Sequence, residues 1–410
     1  MPGSGGDPPG TGSGPDTIAD MRISRRAAAI SPFYAMEYGR RAAELIADGH
    51  DVIRFNIGEP DFGAPPAFLA AARDLCDGRP LPYTDALGSP TLREAIARFY
   101  SDHFRCDVPA RRVVVTSGAS AALLMACAAL VDPGDEVLIA DPSYPCNRQF
   151  AESFGAAVHL VPTTVSDRFQ LTADSVSAAW TDATRVVMVA TPSNPTGTSV
   201  PAGELAAICD VARARGGRRI VDEIYLGLAD PDGSHPDLPP RSVLAADPDA
   251  IVINSFSKYF GLTGWRLGWA IVPDDLVEVF ERLAQNYYIC PPTPSQFAAL
   301  TCFGEESLAV AEARRTEFRE RRTLVLEGLA AIGLDVPVVP DGAFYVYIDV
   351  SSTGLTASRF CDRALTEAHV ALTPGKDFGV AGADRFVRLS YSVNRSQLSE
   401  GISRLARFTR

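Results

Sequence analysis

Apolar and polar positions fall in alternating blocks along most of the chain. The apolar runs in "RRVVVTSGAS", "DEVLIADPSYP", "RVVMVATPSNPTG", "RRIVDEIY", "AIVINSFSK" and "RLGWAIV" are short, and most of them end in a cluster of polar and turn residues. Such runs predict buried strands. Between them lie helical stretches such as "AALLMACAAL" and "PAGELAAICDVARARGG", the latter with a proline-containing start and a glycine stop. Apolar strands alternating with helices predict a mainly parallel sheet covered on both faces. Upstream, Ile23 to Gly49 carries a helical pattern, including "AMEYGRRAAELIADG", and "DVIRFNIGEPDF" reads as a short strand entering a loop. Past about residue 295 the pattern changes. A long charged helix, "EESLAVAEARRTEFRERRTLVLEGLAAIG", leads to "AFYVYIDV", "VALTPG" and "FVRLSYS". These predict a smaller α/β domain completed by the N-terminal segment. The expected division is a disordered tail over 1–20, an N-terminal segment of the small domain over 21–57, a large domain over 58–295 and a C-terminal small domain over 296–410.

Length and composition change this picture little. A chain of 410 residues suits one large domain plus a smaller one. Hydrophobic residues make up 46% and charged residues 21%, a globular balance. The net charge of −12 argues against general nucleic-acid binding, which needs a cationic surface. The eight cysteines are scattered and form no CxxC, so buried reduced thiols in the cytoplasm are expected, and no metal site. No apolar run reaches membrane-spanning length. "MPGSGGDPPGTGSGPDT" lacks the apolar core of a secretory signal.

The polar residues gather at strand ends, where open α/β sheets bind ligands. "TSGAS", Thr116 to Ser120, lies between a strand and a helix, and a helix N-terminus with unpaired N–H groups favours a phosphate. "NPTG" offers the amide of Asn194, and Asp222 ends the apolar run of "VDEIY". A buried carboxylate there requires a cation or donors. Lys258 follows "AIVIN"; desolvated beside positive charge, it would be a nucleophile and Schiff-base former. Arg388 interrupts an apolar strand, and its planar fork matches a carboxylate. Taken singly, each has an ordinary reading: a tight turn, a helix cap, a surface lysine, a structural ion pair. Together they ask for one ligand with a phosphate, an aldehyde, a protonated ring nitrogen and a phenolic oxygen, which is pyridoxal 5′-phosphate.

The sequence closely resembles the fold-type-I, class I/II aminotransferases of the aspartate aminotransferase superfamily. The resemblance runs from about Ile30 to the C-terminus and is carried by "NIGEPDF", "YTDALGSPTLREAIA", "TSGAS", "DPSYP", "NPTG", "DEIY", "SFSKYFGLTGWRLGW" and "VRLSYS". It implies that Lys258 forms the Schiff base and shuttles the proton, and that Asp222 keeps the pyridine nitrogen protonated. Tyr225 and Asn194 match donors to the ring's phenolic oxygen, and Tyr144 matches the aromatic stacked on the ring. Ala119, Ser120, Ser255, Ser257 and Arg266 match the phosphate cradle. Tyr83 matches a tyrosine that reaches the phosphate of a neighbouring subunit, which implies a homodimer with shared sites. Arg388 matches the clamp on the substrate α-carboxylate. Gly58 matches a glycine lining the site, where a side chain would collide with substrate. The implied activity is ping-pong transfer of an amino group between an L-amino acid and a 2-keto acid.

Two points stay open at this level. "QNYYICPPTPSQ" offers Asn286, Tyr287 and Tyr288 but no arginine for a distal carboxylate, and Arg282, one turn earlier, is expected to face solvent. Phe33 and Tyr34 fall in the segment that often covers the substrate and, with Tyr287 and Tyr288, give either an aromatic pocket or ordinary core. A lyase or amino-acid oxidase on the same scaffold needs the same Lys258, Asp222 and Arg388, so the motifs alone do not separate it from an aminotransferase.

Overall fold

A computed structural model describes residues 23–30, 32–231 and 240–407. The tail expected over 1–20 lies outside the described residues. The chain divides into two compact units, Met1–Pro32 and Phe33–Arg410. In the first, a short helix, Arg25–Ala29, is capped by the Ser24 hydroxyl, which accepts the Ala27 N–H.

The second unit holds the strands β1 (Ile53–Arg54), β2 (Val113–Thr116), β3 (Glu136–Asp141), β4 (Ala157–Pro162), β5 (Thr184–Ala190), β6 (Arg218–Asp222), β7 (Ile251–Ser255) and β8 (Gly268–Ile271). After these come β9 (Tyr345–Asp349), β10 (Val370–Ala371), β11 (Thr373–Pro374) and β12 (Phe386–Ser390). Seven strands form one sheet in the order β2-β8-β7-β6-β5-β3-β4. All run parallel except β8, which is antiparallel to both neighbours. β11, β12 and β9 form a separate antiparallel sheet, and β1 pairs with β10. This is the α/β architecture that the apolar pattern predicts.

The large sheet is apolar on both faces, and the alternation is legible residue by residue. Val113, Val115, Val187, Val189, Val221 and Val252 join one core cluster, while Val114, Val186, Met188, Ile220, Ile251 and Ile253 join the other. Helix Ala119–Leu130 and helix Val277–Tyr287 cover the second face, and helix Pro90–Phe104 and helix Ala202–Ala214 pack in the first cluster. Each fully buried Val or Ile contributes about 1.5–3 kcal/mol relative to exposure. Burial of the apolar runs on both faces leaves the polar residues at the strand ends, where they are held at one rim.

Helix Tyr34–Ala47 buries Ala35, Tyr38 and Ala42. Its first N–H groups are met from far away in sequence: Asp377 accepts from Tyr34 N–H at 2.8 Å and from Ala35 N–H at 3.2 Å. The long charged helix predicted after residue 304 spans Glu305–Ala331. Several elements were not evident from pattern, among them helices Pro66–Asp74, Ala173–Ala179 and Ala357–Glu367. Strand β4 is only partly buried and reads "AVHLVP", too mixed for a clear strand signal, and helix Pro145–Ser153 is largely polar.

Candidate active site

The rim at the C-terminal ends of β2, β3, β5, β6 and β7 collects the predicted residues. Asp222 is the last residue of β6 and is buried. Its Oδ1 accepts the Ile224 N–H at 3.1 Å. Burial raises its carboxyl from the usual 3.8 to about 7, opposed by that N–H and by the nearby Lys258. A carboxylate so placed favours a cation beside it.

Lys258 follows β7, and its Nζ donates to the Gly58 carbonyl at 2.7 Å. Burial lowers the amine from the usual 10.5 to about 8. Glu59 opposes the shift, Arg388 and Arg266 add to it, and Asp222 opposes it. An amine near 8 has a substantial neutral fraction near neutral pH, which is what a nucleophile requires. The Nζ also lies 5.8 Å from the ring centroids of both Tyr225 and Phe344.

Arg388 stands in the middle of β12 and is almost fully buried. One terminal nitrogen donates to Asn194 Oδ1 at 2.9 Å; the other donates to the Asn56 carbonyl at 2.8 Å and Thr373 Oγ1 at 3.3 Å. Its guanidinium covers the rings of Tyr345 and Phe378 at 4.7 and 4.9 Å. Its Nε is buried without a hydrogen-bond partner. A buried guanidinium held from behind, with a donor left over, is suited to a carboxylate.

The rim also carries the turn between β2 and helix Ala119–Leu130. Gly118 precedes helix Ala119–Leu130 with φ +84 and gives it no side-chain cap. The first backbone N–H groups, among them those of Ala119 and Ser120, have no partner within a helix. Arg266 faces this turn: a Cβ on Gly118 would lie 2.6 Å from its Nη2. Arg266 itself sits in the left-handed region, φ +50, a conformation that costs a non-glycine residue about 1 kcal/mol and marks functional sites. The Ser255 hydroxyl donates to Ser257 Oγ at 2.9 Å and accepts the Ser257 N–H at 3.0 Å.

The remaining predicted residues are distributed as follows. Tyr225 is buried, and its hydroxyl lies 2.8 Å from that of Tyr345. Tyr144 starts helix Pro145–Ser153, and its ring meets Phe33 edge-on at 6.1 Å. Tyr34 is half-buried, with its ring under the Lys376 ammonium at 4.2 Å. Gly58 has no room for a side chain, because a Cβ would lie 2.6 Å from the Tyr345 hydroxyl. Tyr83 is 76% exposed. Tyr288 packs beneath helix Ala119–Leu130, donating to Met125 Sδ, while Tyr287 is exposed. Arg282 is exposed and pairs only loosely with Glu278, at 3.8 Å.

Sequence reasoning missed four residues that shape the site. Tyr345 touches Tyr225, Gly58 and Arg388. Asn56 and Thr373 brace Arg388, and Asp377 caps the helix that carries Tyr34. In "AFYVYIDV" the tyrosine at 345 looks like one more core residue of an apolar strand.

Comparisons with known proteins place the chain in a family. The family model for aminotransferase class I and II matches residues 50–405. A valine–pyruvate aminotransferase from Mycobacterium tuberculosis is 39% identical over 385 residues, covering 94% of this chain and 97% of that protein. An aspartate/prephenate aminotransferase from Thermus thermophilus is 35% identical over 390 residues, covering 94% and 98%. Among solved structures, an aminotransferase from Mycobacterium tuberculosis superposes with a TM-score of 0.90 at 39% identity, covering 94% of this chain and 98% of that one. Aspartate aminotransferase from Thermus thermophilus with maleate gives 0.88 at 34%, covering 95% and 100%. These relatives transfer amino groups, and they do not favour the lyase or oxidase alternative. The chain belongs to the aminotransferase class I and II family and is a pyridoxal-phosphate-dependent enzyme that moves an amino group between an amino acid and a 2-keto acid.

Proposed function

We propose that this aminotransferase takes an L-amino acid bearing a single carboxylate as its donor, with Lys258, Asp222 and Arg388 at the centre of the reaction. The observation that carries the reading is the buried Arg388 guanidinium, braced by Asn194, Asn56 and Thr373 with its Nε left unpartnered. Arg266 faces the helix N-terminus, a phosphate site by its chemistry, which leaves Arg388 with its unpartnered Nε for one carboxylate. The Mycobacterium tuberculosis relative, named for valine and pyruvate, supports the same choice.

The cofactor fits the residues present. Its phosphate suits the Gly118 turn, where a side chain would fill the cradle, with Ala119, Ser120, Ser255, Ser257 and Arg266 around it. Its protonated ring nitrogen would answer the buried Asp222. Tyr225 and Asn194 would donate to its phenolic oxygen, and Tyr144 would lie against the ring. When bound, the cofactor supplies an aldehyde for amine exchange and an electron sink for the carbanion.

The chain's own groups do the rest. With the cofactor bound, Lys258 would hold its aldehyde carbon, and the amine freed by an incoming substrate would be placed to take up the substrate's α-proton at Nζ and pass it on. Burial keeps that amine near 8, so it exchanges a proton readily close to neutral pH. Arg388 fixes the α-carboxylate, and Asn56, Asn194 and Thr373 stop the guanidinium from turning.

The reading extends to assembly and location. Exposed Leu81 and Tyr83 lie close to the segment bearing exposed Tyr287 and Ile289, the two being joined by Thr293 to the Pro82 carbonyl at 2.9 Å and Gln296 to Thr84 at 3.0 Å. This face suits a second copy, with Tyr83 reaching the partner's phosphate cradle. The large-domain and small-domain division at 58–295 and 296–410 belongs to the same reading. All eight cysteines are free, consistent with the reducing cytoplasm, and among the described residues no helix is long and apolar enough to cross a membrane.

The test is a half-reaction screen of amino donors, following the bound cofactor's absorption as it takes up the amino group, then adding keto acids to reverse it. Alanine and valine are expected to convert the enzyme about tenfold more efficiently than aspartate, the weight of one unmatched carboxylate. Aspartate outrunning every monocarboxylic donor would refute the substrate reading.

A further inference from the structure

Tyr345 opens β9 opposite Ser390, while Tyr347 stands opposite Arg388. Tyr345 and Arg388 are therefore diagonal neighbours on one face of the small sheet, a spacing that aromatic and long side chains bridge. The Arg388 guanidinium lies 4.7 Å over the Tyr345 ring, and the Tyr345 hydroxyl lies 2.8 Å from that of Tyr225. All three side chains are buried. Behind them the "NPTG" loop is bound to the approach to β9: a Cβ on Gly197 would meet the Tyr345 carbonyl at 2.7 Å, and the Gly197 carbonyl accepts from the Asp341 and Gly342 N–H groups at 3.0 and 2.9 Å.

Two phenols at this distance share one proton between their oxygens, and either can donate. The direction has a consequence. A Tyr225 hydroxyl that donates forward, to the cofactor's phenolic oxygen, accepts at its own oxygen from Tyr345. Burial pushes the Tyr225 phenol well above its usual value, so it stays protonated and able to donate. A donor behind it polarises it and strengthens the forward bond.

We propose that Tyr345 is a positioning residue for amino transfer: its hydroxyl donates to Tyr225 and fixes that residue's donor direction, while its ring face holds the Arg388 guanidinium. One side chain then ties the cofactor end of the site to the carboxylate end. This rests on the roles assigned to Tyr225, Lys258 and Arg388 above.

The test uses the cofactor-loaded enzyme and reads the pH midpoint of the bound cofactor's absorption change, which reports the proton on the Lys258 nitrogen. Donation to the phenolic oxygen disfavours that proton, so weakening Tyr225 raises the midpoint. Tyr345→Phe keeps the ring and removes the donor. Its midpoint is expected to rise by about 0.3 pH units, the result if polarisation adds roughly 20% to a bond whose full loss shifts the midpoint by ~1.5 units. In a Tyr225→Phe background the same change is expected to add nothing, and the donor KM is expected to stay within about twofold. Tyr345→Leu removes the ring as well and is expected to raise the donor KM about fivefold, the loss of one buried cation–aromatic contact. An unchanged midpoint in Tyr345→Phe, a shift that persists without the Tyr225 hydroxyl, or an unchanged KM in Tyr345→Leu would each overturn the proposal. A wild-type enzyme whose absorption does not titrate would overturn both the Lys258 assignment and this one; a normal wild-type titration with no Tyr345 effect overturns this one alone.

Discussion

Asparagine at position 222 is expected to stabilise the cofactor-free protein and destabilise the loaded one. The carboxyl of Asp222 rises from 3.8 to about 7 on burial, which corresponds to about 4 kcal/mol against the charged form. Its folded pKa lies above its unfolded one, so the folded chain binds the proton more tightly. The contribution to stability is present in full at low pH and is lost as pH rises from about 4 to about 7. Asparagine has the same shape, keeps an oxygen for the Ile224 N–H, and carries no charge to desolvate. At about pH 8 the cofactor-free Asp222→Asn protein is expected to melt several degrees above wild type, and the gap is expected to close as pH falls. Glu223 next door also carries a raised carboxyl, at about 8, mainly through burial, and the Asp222 charge adds to that rise, so the neutral side chain relieves Glu223 as well and works in the same direction. Adding cofactor reverses the order, because a protonated ring nitrogen repays Asp222 and has no comparable partner in asparagine. Thermal melts by circular dichroism across this pH range, with and without cofactor, test each part. A cofactor-free variant that melts at or below wild type at about pH 8 would refute the desolvation argument. A variant stabilised by cofactor as much as wild type would refute the cation assignment.

Gly58→Ala places a Cβ 2.6 Å from the Tyr345 hydroxyl, while the next ring atom is at an ordinary 3.5 Å. The single variant is expected to lose at least about tenfold in kcat/KM, and adding Tyr345→Phe is expected to recover most of that loss; steady-state kinetics on the two variants decide, and no recovery would place the clash elsewhere. For assembly, sedimentation of the loaded enzyme is expected to give a dimer, and Tyr83→Phe to weaken cofactor affinity about fivefold without changing the thermal melt of the cofactor-free protein. A monomeric active enzyme would end the shared-site reading.

Much of the site was legible because burying an apolar strand on both faces leaves its polar residues only the ends. Asp222, Lys258 and Asn194 follow directly, since "RRIVDEIY", "AIVINSFSK" and "RVVMVATPSNPTG" each change character at one point. Arg388 was legible for the opposite reason, as a charge inside an apolar run. Tyr345 was not legible, because a tyrosine in a strand of aromatics has the signature of a core residue whether or not its hydroxyl is used. Strand β4 was obscured by partial burial, which blurs the apolar run. Asp377 was hidden by distance: it caps a helix that begins 343 residues earlier, and no local pattern records such a pairing.

The antiparallel direction of β8 shows how the Gly118 end of the rim is assembled. Because β8 runs against its neighbours, its first residue, Gly268, lies at the rim where β2 and β7 end, opposite Thr116 on one side and Ser255 on the other. A Cβ there would meet Ala119 N at 2.8 Å and the Asn254 carbonyl at 2.9 Å. Gly268 therefore lets the helix N-terminus, the serine of β7 and the Arg266 turn close on one another. The link from Lys258 to Gly268 has to reverse the chain within a few residues, and the left-handed backbone of Arg266 is part of that reversal. The same reversal aims the guanidinium at Gly118. One stretch of sequence thus turns the chain and, in the proposed reading, supplies the guanidinium for an anion, which accounts for a lysine after a buried strand being followed at short range by glycines and an arginine.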